Sequence, residues 1–242
     1  MNPFDRIEDP RRRLLVEALT LGYMAWGLPI SAHAQIFGSR PAKLPPGQSI
    51  FKLGGAVSVN GAAANLKTQI RPGDTVETGS DGEISFVVSE QAILLRANSQ
   101  LQIQGNKAVS TVRATGMRLV LGKILSVSRN QPMQVTTGTA TMGIRGTGWY
   151  AEADPEQTYF CTCYGETEVS ANNDPNSRET INAKHHDRPV YILAKAGGGN
   201  LIRNAPFINH TDQELSLLET LVGRTPPFVF AKDDYKGPRR DY

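Results

Sequence analysis

Arg71–Val88, RPGDTVETGSDGEISFVV, decides the fold of this chain. Pro72-Gly73-Asp74 is turn chemistry: proline pre-sets one backbone angle and glycine permits a positive φ. Thr75–Thr78 reads as a short strand, Gly79-Ser80-Asp81-Gly82 as a second turn, and Ile84–Val88 as another strand, β-branched and aromatic with one polar break. Strand, turn and strand at this density exclude a helical domain. Downstream, Ala92–Leu95, the turn Asn98-Ser99 and the alternating Leu101–Gln104 continue the pattern, as do Leu119–Val127, Met133–Thr137 and Gly148–Ala153. Upstream, Ile50–Leu53 and Val57–Val59 flank Gly54-Gly55 and lead to Asn60-Gly61, a strong hairpin signal. The expected class is all-β, a twisted β-solenoid or roll of short strands, with a two-sheet β-sandwich as the alternative.

The chain has 242 residues, 39% of them hydrophobic, enough for one sizeable core and a small appendage. Net charge is +3, and the basic residues form no stripe interleaved with aromatics, which argues against nucleic acid as a partner. No stretch reaches the ~18 uninterrupted apolar residues of a membrane span.

Residues 1–34 read as an export signal: Arg11-Arg12-Arg13, a mildly apolar Leu14–Ile30, then Ala32-His33-Ala34 in small-x-small form before Gln35. Arg11–Leu15 also approximates the twin-arginine pattern. The expected location is therefore the periplasm, by the general or the twin-arginine route, with no stable membrane span after cleavage. A linker over 35–48, rich in Pro and Gly, would follow, then a β domain over 49–170, an extension over 171–231 and a tail over 232–242.

Gly55-Ala56-Val57, then Gly73-Asp74-Thr75-Val76-Glu77-Thr78-Gly79, resembles the core of the FecR domain, a periplasmic module. Asn98–Leu101, Leu121–Leu125, Val135–Ala151 with the turn Ile144-Arg145-Gly146-Thr147, and Gly165–Val169 resemble its later segments in the same order. The resemblance spans roughly Phe51–Ser170 and implies an all-β module. The chain departs from the family where Gly138 replaces a usual proline and where Ser89-Glu90-Gln91 replaces an Asp-Gly-Ser-like turn. Signalling members also place a cytoplasmic anti-sigma segment and a membrane helix first. Here only about ten residues precede the signal, too few for a folded domain, so sigma-factor control in cis is not expected.

Tyr159–Tyr164, YFCTCY, holds both cysteines. Side chains at i and i+2 of a strand share a face, so Cys161 and Cys163 point together. A disulfide across one residue is hard to form, because the extended Cα separation of ~6.5–7 Å is at the limit of normal geometry. Free thiols in an oxidising compartment call for a use. His185, His186 and His210 lie downstream. Two thiolates and two imidazoles are a tetrahedral soft-metal set, zinc first and copper second. The expected ligands are Cys161, Cys163, His210 and His186, with His185 as substitute: as extended neighbours the two histidines would face opposite ways. Inert core cysteines and a redox pair are the competing readings. Arg145, between glycines, reads as a turn residue bonding carbonyls rather than as an anion site.

Beyond the Asn172–Arg178 loop, Glu179–Lys184 and Pro189–Lys195 read as a last hairpin, and Gly197-Gly198-Gly199 as a connector. Thr211-Asp212-Gln213-Glu214 is a capping box, and Leu215, Leu218 and Val222, widened by Leu217 and Leu221, form a helical stripe closed by Gly223 and Pro226-Pro227. No enzyme signature is present: there is no nucleophile elbow, and Asp74/Glu77 and Asp81/Glu83 are turn acids. The expected function is an exported binding or scaffold protein, with a metal site joining the β module to the extension. The alternatives are an accessory of envelope signalling or transport that binds a membrane partner, and a thiol-redox protein. A glycan site would need an exposed aromatic platform, for which Trp149 and Tyr150 are the only neighbours.

Overall fold

A computed structural model describes residues 42–105, 114–128, 132–195 and 199–228. The chain divides into two units, Met1–Ala42 and Lys43–Tyr242. The expected signal segment and the tail from Lys232 lie outside the described residues, as does most of the glycine run at 197–199.

The second unit is built from fourteen described strands and one described helix. The strands are β1 Ile50–Gly54, β2 Val57–Val59, β3 Ala62–Ala63, β4 Thr75–Thr78, β5 Glu83–Val88, β6 Gln91–Leu95, β7 Gln100–Gly105 and β8 Ala114–Ser128. β9 Met133–Thr136, β10 Ala140–Ala153, β11 Gln157–Ala171, β12 Asp174–Ala183, β13 Val190–Leu193 and β14 Ile202–Asn204 follow, then helix α1 Asp212–Leu221. The all-β class with one C-terminal helix is the observed one.

Three long strands organise the sheet, because each changes partners along its length. The first part of β8 pairs with β7 and β9, and Gly122–Ser128 pairs with β10, while β6 also pairs with β8 from Ile124 to Val127. β10 pairs first with β9 and then with β8, and lies beside β11 throughout. β11 pairs with β13 over Gln157–Phe160 and with β12 over Gly165–Ala171. One run of strands thus reads β1-β5-β6-β8-β10-β11-β13-β14, the other β3-β2-β4-β7-β8-β9-β10-β11-β12. Both share one core, which takes Ile84, Phe86, Trp149 and Phe160 from the first run and Val76, Leu101, Met142 and Val169 from the second. The result is a sheet rolled over on itself. Its ladders are antiparallel except β8/β9, unlike the repeated parallel coils of a solenoid.

The partner switches fall where the backbone can bend. In β11 the switch lies at Gly165, with φ +92°, where a Cβ would meet Thr147 Cγ2 at 2.6 Å. In β10 the register shifts between Arg145 and Gly148. Ile144–Thr147 is therefore a bulge inside a strand and not a turn between strands, and Arg145 is exposed at it. The extension also departs from expectation. β12 and β13 make no hairpin; both lie along β11, and β13 pairs onward with β14. Asp174–Arg178 is strand, so the loop after β11 is only the Asn172-Asn173 turn.

Strand alternation gives the sheet a second buried face. Ile93, Leu95 and Ile124 belong to the main core, while Leu94, Leu125, Tyr150, Cys161 and Cys163 are buried outside it. Helix α1 packs over β6 and β8. It buries Leu215, Leu217, Leu218 and Leu221, each worth roughly 1.5–3 kcal/mol relative to exposure. This explains why all five residues of β6, QAILL, are buried: both faces are covered. Thr211 caps the helix in the expected capping box, and Gly223 follows its end with φ +73°. Polar clamps hold it too. Arg96 donates to Glu214 (2.8 Å) and to the Asn209 carbonyl (2.9 Å). Glu219 is fully buried and takes Arg224 Nε (2.8 Å) and the Tyr164 hydroxyl. The Leu44 amide donates to the Leu221 carbonyl (2.9 Å), so part of the expected linker docks on the helix end. Among the described residues no helix is long and apolar enough to cross a membrane.

Candidate metal centre

Cys161 and Cys163 lie on the first half of β11, fully buried, both thiols free and on the face that the extension covers. The chain leaves β12 at Ala183 and turns sharply. His186 takes φ +55°, and its main-chain N–H donates to the Cys163 carbonyl (2.9 Å), which brings its ring under the strand. The segment from β14 to α1 then passes over the same face. Tyr159 Oη donates to the Pro206 carbonyl (3.0 Å), and the capping box holds the residue after His210.

Cys161, Cys163, His186 and His210 thus converge, with one donor atom of each within 4.8 Å of all the others. Cys161 Sγ lies 3.5 Å from His186 Nδ1, Cys163 Sγ lies 3.4 Å from His210 Nε2, and the two ring nitrogens are 3.2 Å apart. With metal–sulfur bonds of ~2.3 Å and metal–nitrogen bonds of ~2.0–2.1 Å, a tetrahedron has S–N edges of ~3.6 Å and N–N edges of ~3.3 Å. The Cys161–His186, Cys163–His210 and His186–His210 edges are close to these. The donor set fits a tetrahedral soft cation.

Each imidazole is oriented through its other nitrogen. His210 Nδ1 donates to the Ile208 carbonyl (2.7 Å), which leaves Nε2 as the lone-pair donor. His186 Nε2 lies 3.0 Å from Asp212 Oδ1, which leaves Nδ1 for the cluster. Such outer contacts are typical of ligating histidines, whose tautomer they select. Rings complete the box: Tyr150 stacks on His210 and Phe207 meets both histidines, at 4.4 Å from His186 and 4.6 Å from His210.

His185 does not join the four. It does not face away from its neighbour, as an extended pair would; the turn sends both rings toward Asp212, with His185 Nε2 2.9 Å from each carboxylate oxygen. Asp212, Tyr150 and the Ile208 carbonyl are the contacts of the cluster that the sequence reading misses. Asp212 is hidden inside the capping box, where a first-turn acid already has a reason to be. Trp149 and Tyr150 are fully buried, so they form no aromatic platform.

The electrostatics favour anionic sulfur. Burial pushes the Cys161 thiol up, but the neighbouring Cys163 thiol, His210 and His186 outweigh it and hold Cys161 well below its ordinary value. Burial and the Cys161 sulfur push Cys163 up, since a second adjacent anion is disfavoured without a cation. Burial lowers His186, yet its bonds to Asp212 and Cys161 push it up to about 9. Burial raises Asp212, but the two histidines bring it below the usual carboxylate value.

A β roll with a buried thiol–imidazole cluster under its C-terminal extension is the class these features define. Residues 74–169 match the family described as FecR protein. Cys161 and Cys163 fall inside the matched span, whereas His186 and His210 fall beyond it. The chain is also similar to two crystal structures of a "putative anti-sigma factor" from Parabacteroides distasonis. Each is 15% identical with a TM-score of 0.43, covering 54% of this chain and 59% of that one. No curated protein matches the chain.

Proposed function

We propose that this protein is an exported FecR-domain scaffold or binding module of the bacterial envelope, whose extension is fastened to the domain by a structural Cys2His2 zinc site. The observation that carries the reading is the convergence of Cys161, Cys163, His186 and His210, with three donor–donor edges close to those of a tetrahedral ion. Zinc fits this mixed sulfur and nitrogen set better than copper(II), which favours planar geometry. With four protein donors, an ion there has no open position for a substrate, so its role is structural and the reading is non-enzymatic. Two donors come from one strand of the domain and two from the segments that cover it. Binding the ion therefore holds the extension closed, and with it the apolar face of α1. The remaining β surface is then free to meet an envelope partner. The arginine-rich leader over 1–34 supports export.

The test is metal analysis of the untagged chain purified from the periplasm without chelator, beside a thiol count. One tightly held zinc per chain with both thiols protected is expected, and Cys161→Ser/Cys163→Ser should lose it. Full occupancy in that double variant sinks the reading. Metal-free protein with a reversible two-electron thiol couple would favour the redox alternative instead.

A further inference from the structure

His186 presents one ring nitrogen to the buried cluster and the other to a second group of donors. On that outer side its Nε2 lies 3.0 Å from Asp212 Oδ1, and His185 Nε2 lies 2.9 Å from both Asp212 oxygens. Two imidazole nitrogens and a carboxylate therefore converge on one point, with donor atoms within 4.8 Å of one another. The side chain of His185 is 37% exposed and that of Asp212 18%, whereas both cysteines are fully buried. The outer group opens to solvent and the inner one does not.

We propose a second, solvent-facing cation site made by His185 Nε2, His186 Nε2 and Asp212, which takes a borderline divalent ion (Zn2+ or Cu2+) and shares the His186 ring with the buried site. Resting on the zinc reading above, it deepens that reading: one ring would bridge two ions, Nδ1 to the inner and Nε2 to the outer. The donor chemistry suits this, because imidazole nitrogen and carboxylate oxygen favour zinc and copper. Three protein donors leave at least one position for water, the mark of an exchangeable site rather than a closed one. Protons balance simply. His186 gives up its Nε2 proton to solvent as the outer ion binds, so one proton leaves per outer ion. His185 ligates through Nε2, with a proton on Nδ1. The carboxylate exchanges two hydrogen bonds for a metal bond. Phe228 and Phe207 flank the pair, with ring centroids 4.8 Å from His185 and 4.4 Å from His186, and give the site an apolar wall.

Titration of the metal-free full chain with Co2+, followed in parallel by total bound cobalt and by thiolate-to-cobalt absorption, separates the two sites. Only the inner site produces the thiolate bands. The expected result is saturation of the bands at one equivalent, and a second, weaker equivalent that binds without adding to them. His185→Ala should remove the second equivalent, by tenfold or more in affinity, and leave the thiolate bands in place, whereas Asp212→Asn should remove it and also weaken the inner site, since Asp212 orients His186. Thiolate bands with one cobalt per chain at saturation, unchanged by His185→Ala, overturn the outer site and spare the zinc reading. Absence of thiolate bands overturns the zinc reading, and with it the shared ring.

Discussion

The ring of Tyr150 lies flat on that of His210, with centroids 4.4 Å apart and planes 19° from parallel. Tyr150 is on β10, next to the cysteine strand: its register partner on β11 is Cys161. Its hydroxyl donates to Glu152 (2.7 Å), which also takes the amide of Asn209, the residue before His210. One aromatic side chain thus sets both the plane and the approach of an imidazole that arrives from sixty residues downstream. Tyr150→Leu removes the stack and should weaken zinc binding by about 10- to 100-fold, the usual cost of losing an outer-shell support. Tyr150→Phe keeps the ring and should lose far less. Chelator competition measures both.

Glu219 carries a buried charge at the end of α1, answered by Arg224 Nε and the Tyr164 hydroxyl. Glu219→Gln leaves the arginine, whose side chain is 15% exposed, without its counter-charge. Breaking a buried pair from one side costs about 3–5 kcal/mol. Chemical denaturation should show a loss in that range, with the stoichiometry of the proposed zinc site unchanged, because Arg224 and Tyr164 are not among its four ligands.

Gly122 marks the bend in β8, with φ +98°, and a Cβ there would lie 2.1 Å from Ser99 Oγ and 2.5 Å from Ser99 Cα. Gly122→Ala combines a left-handed strain with a clash against backbone. It should cost about 3 kcal/mol or more. Gly138→Ala is the control: no atom lies within 4 Å of a Cβ at that position, and its stability should change little. Thermal unfolding of the two variants side by side checks the contrast.

Asp174 opens β12 and accepts from Ser177 Oγ (2.6 Å) and the Asn176 amide (3.1 Å). The Ser177 bond, followed by that amide, holds its carboxyl below the ordinary value. A depressed folded-state value means that the unfolded chain takes up a proton first on acidification. The contribution is therefore complete above about pH 4 and fades as pH falls through the folded value. Carboxyl NMR should find its midpoint below that of an unfolded aspartate, and Asp174→Asn should remove this part of the acid dependence.

The strand ladder was legible because its signals are local. Asn60-Gly61 has positive φ at both residues, and Thr75–Thr78 and Ile84–Val88 alternate or bury as their composition requires. The helix was legible for the same reason, down to its cap at Thr211. The bulge at Ile144–Thr147 was not. A glycine with positive φ looks alike in a turn and in a bent strand, and only a partner across the ladder distinguishes them. Nor was the pairing of β12 and β13 with β11, since adjacency in sequence suggests a hairpin until a longer strand offers two successive edges.

By itself the sequence singled out the candidate residues: two cysteines at i and i+2 of a strand, and histidines in a part of the chain with little else to use them. Side-chain alternation is a property of the local backbone, so Cys161 and Cys163 had to share a face. Which histidine joins them was decided by the tertiary structure, through the left-handed turn at His186 and the carboxylate of Asp212 that claims His185. That choice depends on where the helix start lands on the sheet. No local rule contains that position, because it follows from burying the leucines of α1 against β6 and β8.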